Sequence, residues 1–136
     1  MKRLLSVALV AFMSVGAFAQ TDANMGIIPA PVSVIKKSGA FKLDKTVVLL
    51  SADAANAKMA DLLNASITTK AGFALRETKA LKANERAIVL TSVGADKLPA
   101  EGYTIDITDK KITVTGKDAG LFYAVQSMIQ LMPEKK

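Results

Sequence analysis

Three carboxylates fall close together late in the sequence: Asp106, Asp109 and Asp118. Acidic side chains that converge can exchange protons at a glycosidic bond, or hold calcium through their oxygens. Their spacing predicts neither. Asp106 occupies an outward position of an alternating strand, Asp109 lies in a turn, and Asp118 stands just ahead of a helix, where a carboxylate acts as a cap. No recognised ligand spacing joins them, so the expectation is no catalytic residue, no metal site and no cofactor. Tyr103 and Tyr123 could stack on a sugar ring, but two aromatics on separate elements do not make a platform. Asn64-Ala65-Ser66 matches the N-glycosylation triplet yet falls in mid-helix. Met128, Ile129 and Met132 are expected to be core before they are a ligand groove.

Composition narrows the chemistry further. The 136 residues include no His and no Cys, which removes Ser-His-Asp triads, thiol nucleophiles and thiolate metal sites. With 51% apolar residues, the chain can bury the core of one domain and no more. The net charge of +6 is spread over lysines that alternate with acids, in runs no longer than Lys36-Lys37, Lys110-Lys111 and Lys135-Lys136. A nucleic-acid partner calls for a concentrated basic patch with aromatics, and none is visible.

The N-terminus carries an address. Lys2-Arg3, an apolar run from Leu4 to Val15 and the small-x-small step Ala17-Phe18-Ala19 ahead of Gln20 form a secretory signal peptide, residues 1–19. Its apolar stretch is too short to span a membrane, which needs about 20 residues, and no Cys follows for lipid attachment. Cleavage between Ala19 and Gln20 would release a periplasmic or extracellular chain whose charge falls to +4, because Lys2 and Arg3 leave. Without cysteines, its stability rests on packing alone.

The elements that must position these residues follow from periodicity. Residues 20–26 are small and polar, a flexible start to the mature chain; 27–133 read as one domain and 134–136 as the start of a linker. Ile27-Ile28-Pro29-Ala30-Pro31 reads as an opening or edge strand, because prolines at alternate positions stay extended without donating ladder hydrogen bonds. Val32-Ser33-Val34 continues the alternation. Short strands are predicted at 41–43, 46–50, 74–78 and 87–91. Ser51 is expected to cap a helix over 53–71, with Met59, Leu62, Leu63 and Ile67 on one face and Gly72 in the left-handed terminal position. Tyr103, Ile105 and Ile107, then Ile112 and Val114, alternate with polar residues as a hairpin with one buried face. Asp118 is expected to cap a last helix carrying Leu121, Phe122, Val125, Met128, Ile129 and Met132, which stops ahead of Pro133. The predicted class is α+β: a mixed, mostly antiparallel sheet with two amphipathic helices packed on one face.

Three segments carry a resemblance. Ile27-Ile28-Pro29-Ala30-Pro31, then Glu101-Gly102-Tyr103-Thr104-Ile105 with Lys111-Ile112-Thr113-Val114-Thr115-Gly116, and finally Asp118-Ala119-Gly120-Leu121-Phe122-Tyr123-Ala124-Val125-Gln126 with Gln130-Leu131 resemble the N-terminal accessory domain of family 20 glycoside hydrolases, the β-N-acetylhexosaminidases. The resemblance implies a domain that precedes a (β/α)8 barrel, where an adjacent Asp-Glu pair protonates the glycosidic oxygen and orients the substrate's 2-acetamido group. No Asp-Glu dipeptide occurs in this sequence, and a barrel of about 250 residues has no room after the last helix. The resemblance therefore implies a non-catalytic domain whose partner is the parent enzyme's barrel, with N-acetylhexosamine-bearing glycans as a second possible partner. The alternatives are a free-standing glycan-binding module, or the equivalent domain of hyaluronidase-type N-acetylglucosaminidases or α-glucuronidases.

Overall fold

A computed structural model describes residues 8–9, 33–35, 38–51 and 53–132. The signal-peptide reading, with its cleavage residues Ala17, Ala19 and Gln20, lies outside these residues except for Ala8–Leu9. Residues 20–26, the opening or edge strand expected at 27–31, Val32, Pro133 and the linker at 134–136 also lie outside; Ser33 and Val34, expected to continue that alternation, are described and form no strand.

Among the described residues, six strands and two α-helices follow in the order β1 (Ala8–Leu9), β2 (Val48–Leu50), α1 (Ala57–Ala71), β3 (Arg76–Thr78), β4 (Ala87–Thr91), β5 (Tyr103–Ile107), β6 (Lys111–Gly116) and α2 (Ala119–Leu131). They form one sheet in the order β1-β5-β6-β4-β2-β3. The mixed sheet and paired helices are those of the expected α+β class. The balance of directions differs: β2 pairs parallel with both β3 and β4, and β4 parallel with β6, leaving only β5–β6 and β1–β5 antiparallel. The cause is connectivity. Helix α1 carries the chain back between β2 and β3, so the second strand must run the same way as the first.

Register places the apolar residues in rows. Leu49 stands beside Ile88, Ile88 beside Ile112 and Ile112 beside Ile107; in the next row Leu90 flanks Val114 and Val114 flanks Ile105. These side chains are buried or half-buried with Ala60, Leu63 and Ile67 of α1 and Leu121, Ala124, Val125 and Met128 of α2, in one continuous core. The opposite face of the sheet is lined by residues such as Val89, Thr91, Thr104, Thr113 and Thr115, all half-buried.

Local hydrogen bonds explain where elements depart from the periodicity. The strand expected at 46–50 is shortened because Asp44 closes a turn, its carboxylate accepting from the Thr46 amide at 2.9 Å and its carbonyl from the Val47 amide at 3.1 Å. Asp53, rather than Ser51, caps the approach to α1: its Oδ1 accepts from the Ala55 amide at 3.0 Å, opening a single 3-10 turn over Ala54–Asn56. The Ser51 hydroxyl donates to the Asp53 carbonyl. Gly72 takes the left-handed position as expected, with φ of 88°. Strand β3 is shorter than expected because Asn64 of α1 captures the backbone ahead of it, accepting from the Leu75 amide at 2.8 Å and donating to its carbonyl at 2.9 Å. That side chain also donates to Glu77, so the glycosylation triplet is built around a structural clamp. Asp118 stands at the N-cap of α2 but makes no side-chain capping bond, because its φ of 52° turns the backbone away from the usual capping geometry.

Residues 41–43 form no strand, yet Phe41 and Leu43 pack against the core. Arg86, just before β4, holds this stretch: its guanidinium donates to the Lys42 carbonyl at 2.6 Å, pairs with Asp44 at 2.9 Å and lies 5.4 Å from the Phe41 ring centre. Hydrogen bonds from the Thr46 hydroxyl and amide, with Arg86 nearby, hold the Asp44 carboxyl below its ordinary value of 3.8. A lowered carboxylate pKa stabilises the fold above the unfolded-state value and loses that contribution as pH falls through the folded-state value. Asp44→Asn should therefore lower stability at neutral pH, and the gap to the parent chain should close as pH drops below the ordinary carboxylate range. Urea denaturation of both chains across pH 2–7 measures it.

Candidate docking surface

Helix α2 is the element on which a functional surface can be built, and its seat on the hairpin is unusually close. A Cβ at Gly116 would stand 2.7 Å from the Leu121 amide nitrogen, and one at Gly120 would collide with the Gly102 carbonyl. Both positions therefore need glycine, which lets the first turn of α2 rest directly on the end of β6 and the loop before β5. Beneath it, the Tyr103 hydroxyl meets the Ser127 hydroxyl at 2.6 Å in the interior. Tyr103 is 1% exposed, so it is a core anchor and no sugar platform. Gly120→Ala should destabilise the fold by about 2 kcal/mol or more, since overpacking against backbone cannot relax through a side-chain rotamer; chemical denaturation reads this as a lower midpoint with unchanged slope.

With Leu121, Ala124, Val125, Ser127 and Met128 turned inward, the remaining residues of α2 form its outer face. Phe122 is 41% exposed, and its ring meets that of Tyr123 edge-on, with centroids 5.7 Å apart and planes at 67°. Gln126 and Ile129 are half-buried and Gln130 is exposed. Beside Ile129, a shallow depression of about 220 Å³ separates α2 from Ala65, Ser66, Thr69 and Lys70 of α1. The expectation that Met128 and Met132 are core holds, as both are buried, while Ile129 reaches the groove. Phe122, expected in the apolar stripe of α2 with Leu121, Val125, Met128, Ile129 and Met132, is turned away from the core, because the inward face is taken by Leu121, Ala124, Val125 and Met128.

The carboxylates stay apart in role. Asp106, Asp109 and Asp118 are all exposed, on a strand, a turn and a helix start. Among the described residues, no group of three or more His, Cys, Asp or Glu side chains is placed to hold a metal, and no helix is long and apolar enough to cross a membrane.

The described residues form a two-layer α+β domain, one mixed sheet with two helices packed on it and Phe122 exposed on the outer face of α2. Comparison with protein families makes the assignment specific: the profile of glycosyl hydrolase family 20, domain 2, matches residues 24–136, and the chain belongs to that family. It is thus an accessory domain of the hexosaminidase type, a domain that associates with a catalytic domain in the parent enzyme. A search of curated proteins finds no match.

Proposed function

We propose that this chain is exported and serves as the non-catalytic N-terminal domain of a β-N-acetylhexosaminidase, supporting a (β/α)8 barrel through the outer face of α1 and α2. The family match over residues 24–136 is the observation that carries this reading. The layer order adds to it. One face of each helix is already spent on the sheet, so a further domain packs naturally on the other, where Phe122, Tyr123 and Ile129 leave apolar surface beside the α1 groove. Inter-domain contacts of this kind combine a modest apolar centre with a polar rim, and Gln126, Gln130, Ser66 and Thr69 supply polar groups around it.

The hydrolytic chemistry belongs to the barrel, with its acidic residue acting on the glycosidic oxygen and the substrate's acetamido group attacking the anomeric carbon. The accessory domain contributes rigidity at the barrel's surface. The isolated chain should give no turnover of a chromogenic N-acetylglucosaminide. Added to a family 20 barrel stripped of its own N-terminal domain, it should slow thermal inactivation of the barrel, and Phe122→Asp should abolish that protection while leaving the domain folded by circular dichroism. Turnover by the chain alone would refute the non-catalytic role, and saturable binding of chitooligosaccharides in calorimetry would favour the glycan-binding module instead. Export is read separately, by the intact mass of the chain recovered from the periplasm, which should begin at Gln20.

A further inference from the structure

An Asn-x-Ser triplet accepts a sugar at the Asn Nδ2, and an enzyme that reads it must reach that amide together with the hydroxyl two positions on. In Asn64-Ala65-Ser66 the fold parts these two groups. Asn64 lies on the side of α1 that faces β3, bonded to Leu75 and Glu77, whereas Ser66 lines the groove beside Ile129. Side chains two positions apart on a helix do not face each other, so one approach cannot serve both.

The bonds at Asn64 fix which hydrogens are engaged. The Leu75 amide donates to Oδ1 at 2.8 Å, and the Leu75 carbonyl accepts from Nδ2 at 2.9 Å. Two bonds to one residue use one edge of the side-chain amide, so the hydrogen given to Leu75 is the one on the same side of the C–N bond as Oδ1. The other hydrogen is left for the Glu77 carboxylate, 3.1 Å from Nδ2. Both hydrogens of this amide therefore have acceptors.

Joining a sugar removes one of them, and the geometry of amides decides which. The product is a secondary amide, which holds the trans form as a peptide bond does, and trans puts the new carbon on the same side as the oxygen. The anomeric carbon must then replace the hydrogen that Leu75 receives. A C–N bond of about 1.45 Å along that direction would bring the carbon to about 1.5 Å from the Leu75 carbonyl oxygen, where a separation of 2.9 Å admits only a hydrogen. Swinging the amide aside gives no relief, because it releases both backbone groups of Leu75, a residue buried in the core.

We propose that Asn64-Ala65-Ser66 is a glycosylation acceptor gated by folding: open in the unfolded chain, and closed once Asn64 clamps Leu75. In the transfer, Nδ2 attacks the anomeric carbon of a lipid-linked oligosaccharide. The N–C bond forms as the C–O bond to the lipid pyrophosphate breaks, the pyrophosphate leaves with that electron pair, and Nδ2 gives up one proton to a base on the transferase. A chain modified first cannot form the clamp, and β3, three residues long with β2 as its neighbour in the sheet, loses its tie to α1. This inference stands apart from the export and barrel readings, since it depends only on the Asn64 amide.

The purified chain, a lipid-linked oligosaccharide and a single-subunit oligosaccharyltransferase test it. Trypsin cuts after Lys58 and Lys70, so the triplet is read by mass on the peptide 59–70. A synthetic peptide of those residues should be modified readily, and the folded chain at least about a hundredfold more slowly, because a stable domain opens rarely. Leu49→Asp with Val114→Asp, which puts charges at two fully buried positions outside the triplet, should unfold the chain and restore the peptide's rate; circular dichroism confirms the unfolding. Modification of the folded chain at the peptide's rate overturns the gate. Failure of the peptide or of the unfolded chain to accept the sugar overturns the acceptor itself.

Discussion

The seat of α2 on the β5–β6 hairpin is the constraint on which the rest of the structure depends. Gly116 and Gly120 allow backbone to approach backbone, and the Tyr103–Ser127 hydrogen bond fixes the helix's rotation where both hydroxyls are shut away from water. A buried hydroxyl pair costs little when each satisfies the other and much when either is left alone, so one orientation is favoured over its neighbours. With that rotation set, Leu121, Ala124, Val125 and Met128 must point at Ile105 and Val114, and Phe122 must point away. The candidate interface is therefore a consequence of the core's geometry, because the residues left outside are decided by which ones the glycines bring inside.

Polar side chains do comparable work at the other end of the molecule. Asn64 stands in for a strand partner by bonding both backbone groups of Leu75, which holds β3 to α1 even though β3 is only three residues long. Arg86 gathers Lys42, Asp44 and the Phe41 ring, so a stretch without regular hydrogen bonding still contributes apolar area to the core. In a chain without disulfides, these clamps hold the irregular segments that hydrophobic burial alone leaves loosely specified.

The proposed division of labour with a catalytic barrel has a physical logic. A barrel places its chemistry on loops at one end and needs its outer helices held still. A small domain with one helix face free can supply that support with no reactive residue of its own. Asp106, Asp109 and Asp118 are exposed on three separate elements.

Much of this was legible in the residues. Alternation placed the hairpin from Tyr103 to Gly116, helical spacing located α1 and α2, Gly72 marked the end of α1, and the ordered segment around Asp118–Gln126 pointed to the family. All of these are local signals, carried by neighbours a few positions apart. Tertiary structure alone decided the parallel ladders joining β2, β3, β4 and β6, since those pairings connect strands distant in sequence whose apolar runs look the same for either direction. It also decided that Phe122 is exposed and that Asp118 does not cap its helix. Periodicity reports that a residue is apolar or can accept a hydrogen bond; only the packing of distant elements determines what lies opposite it.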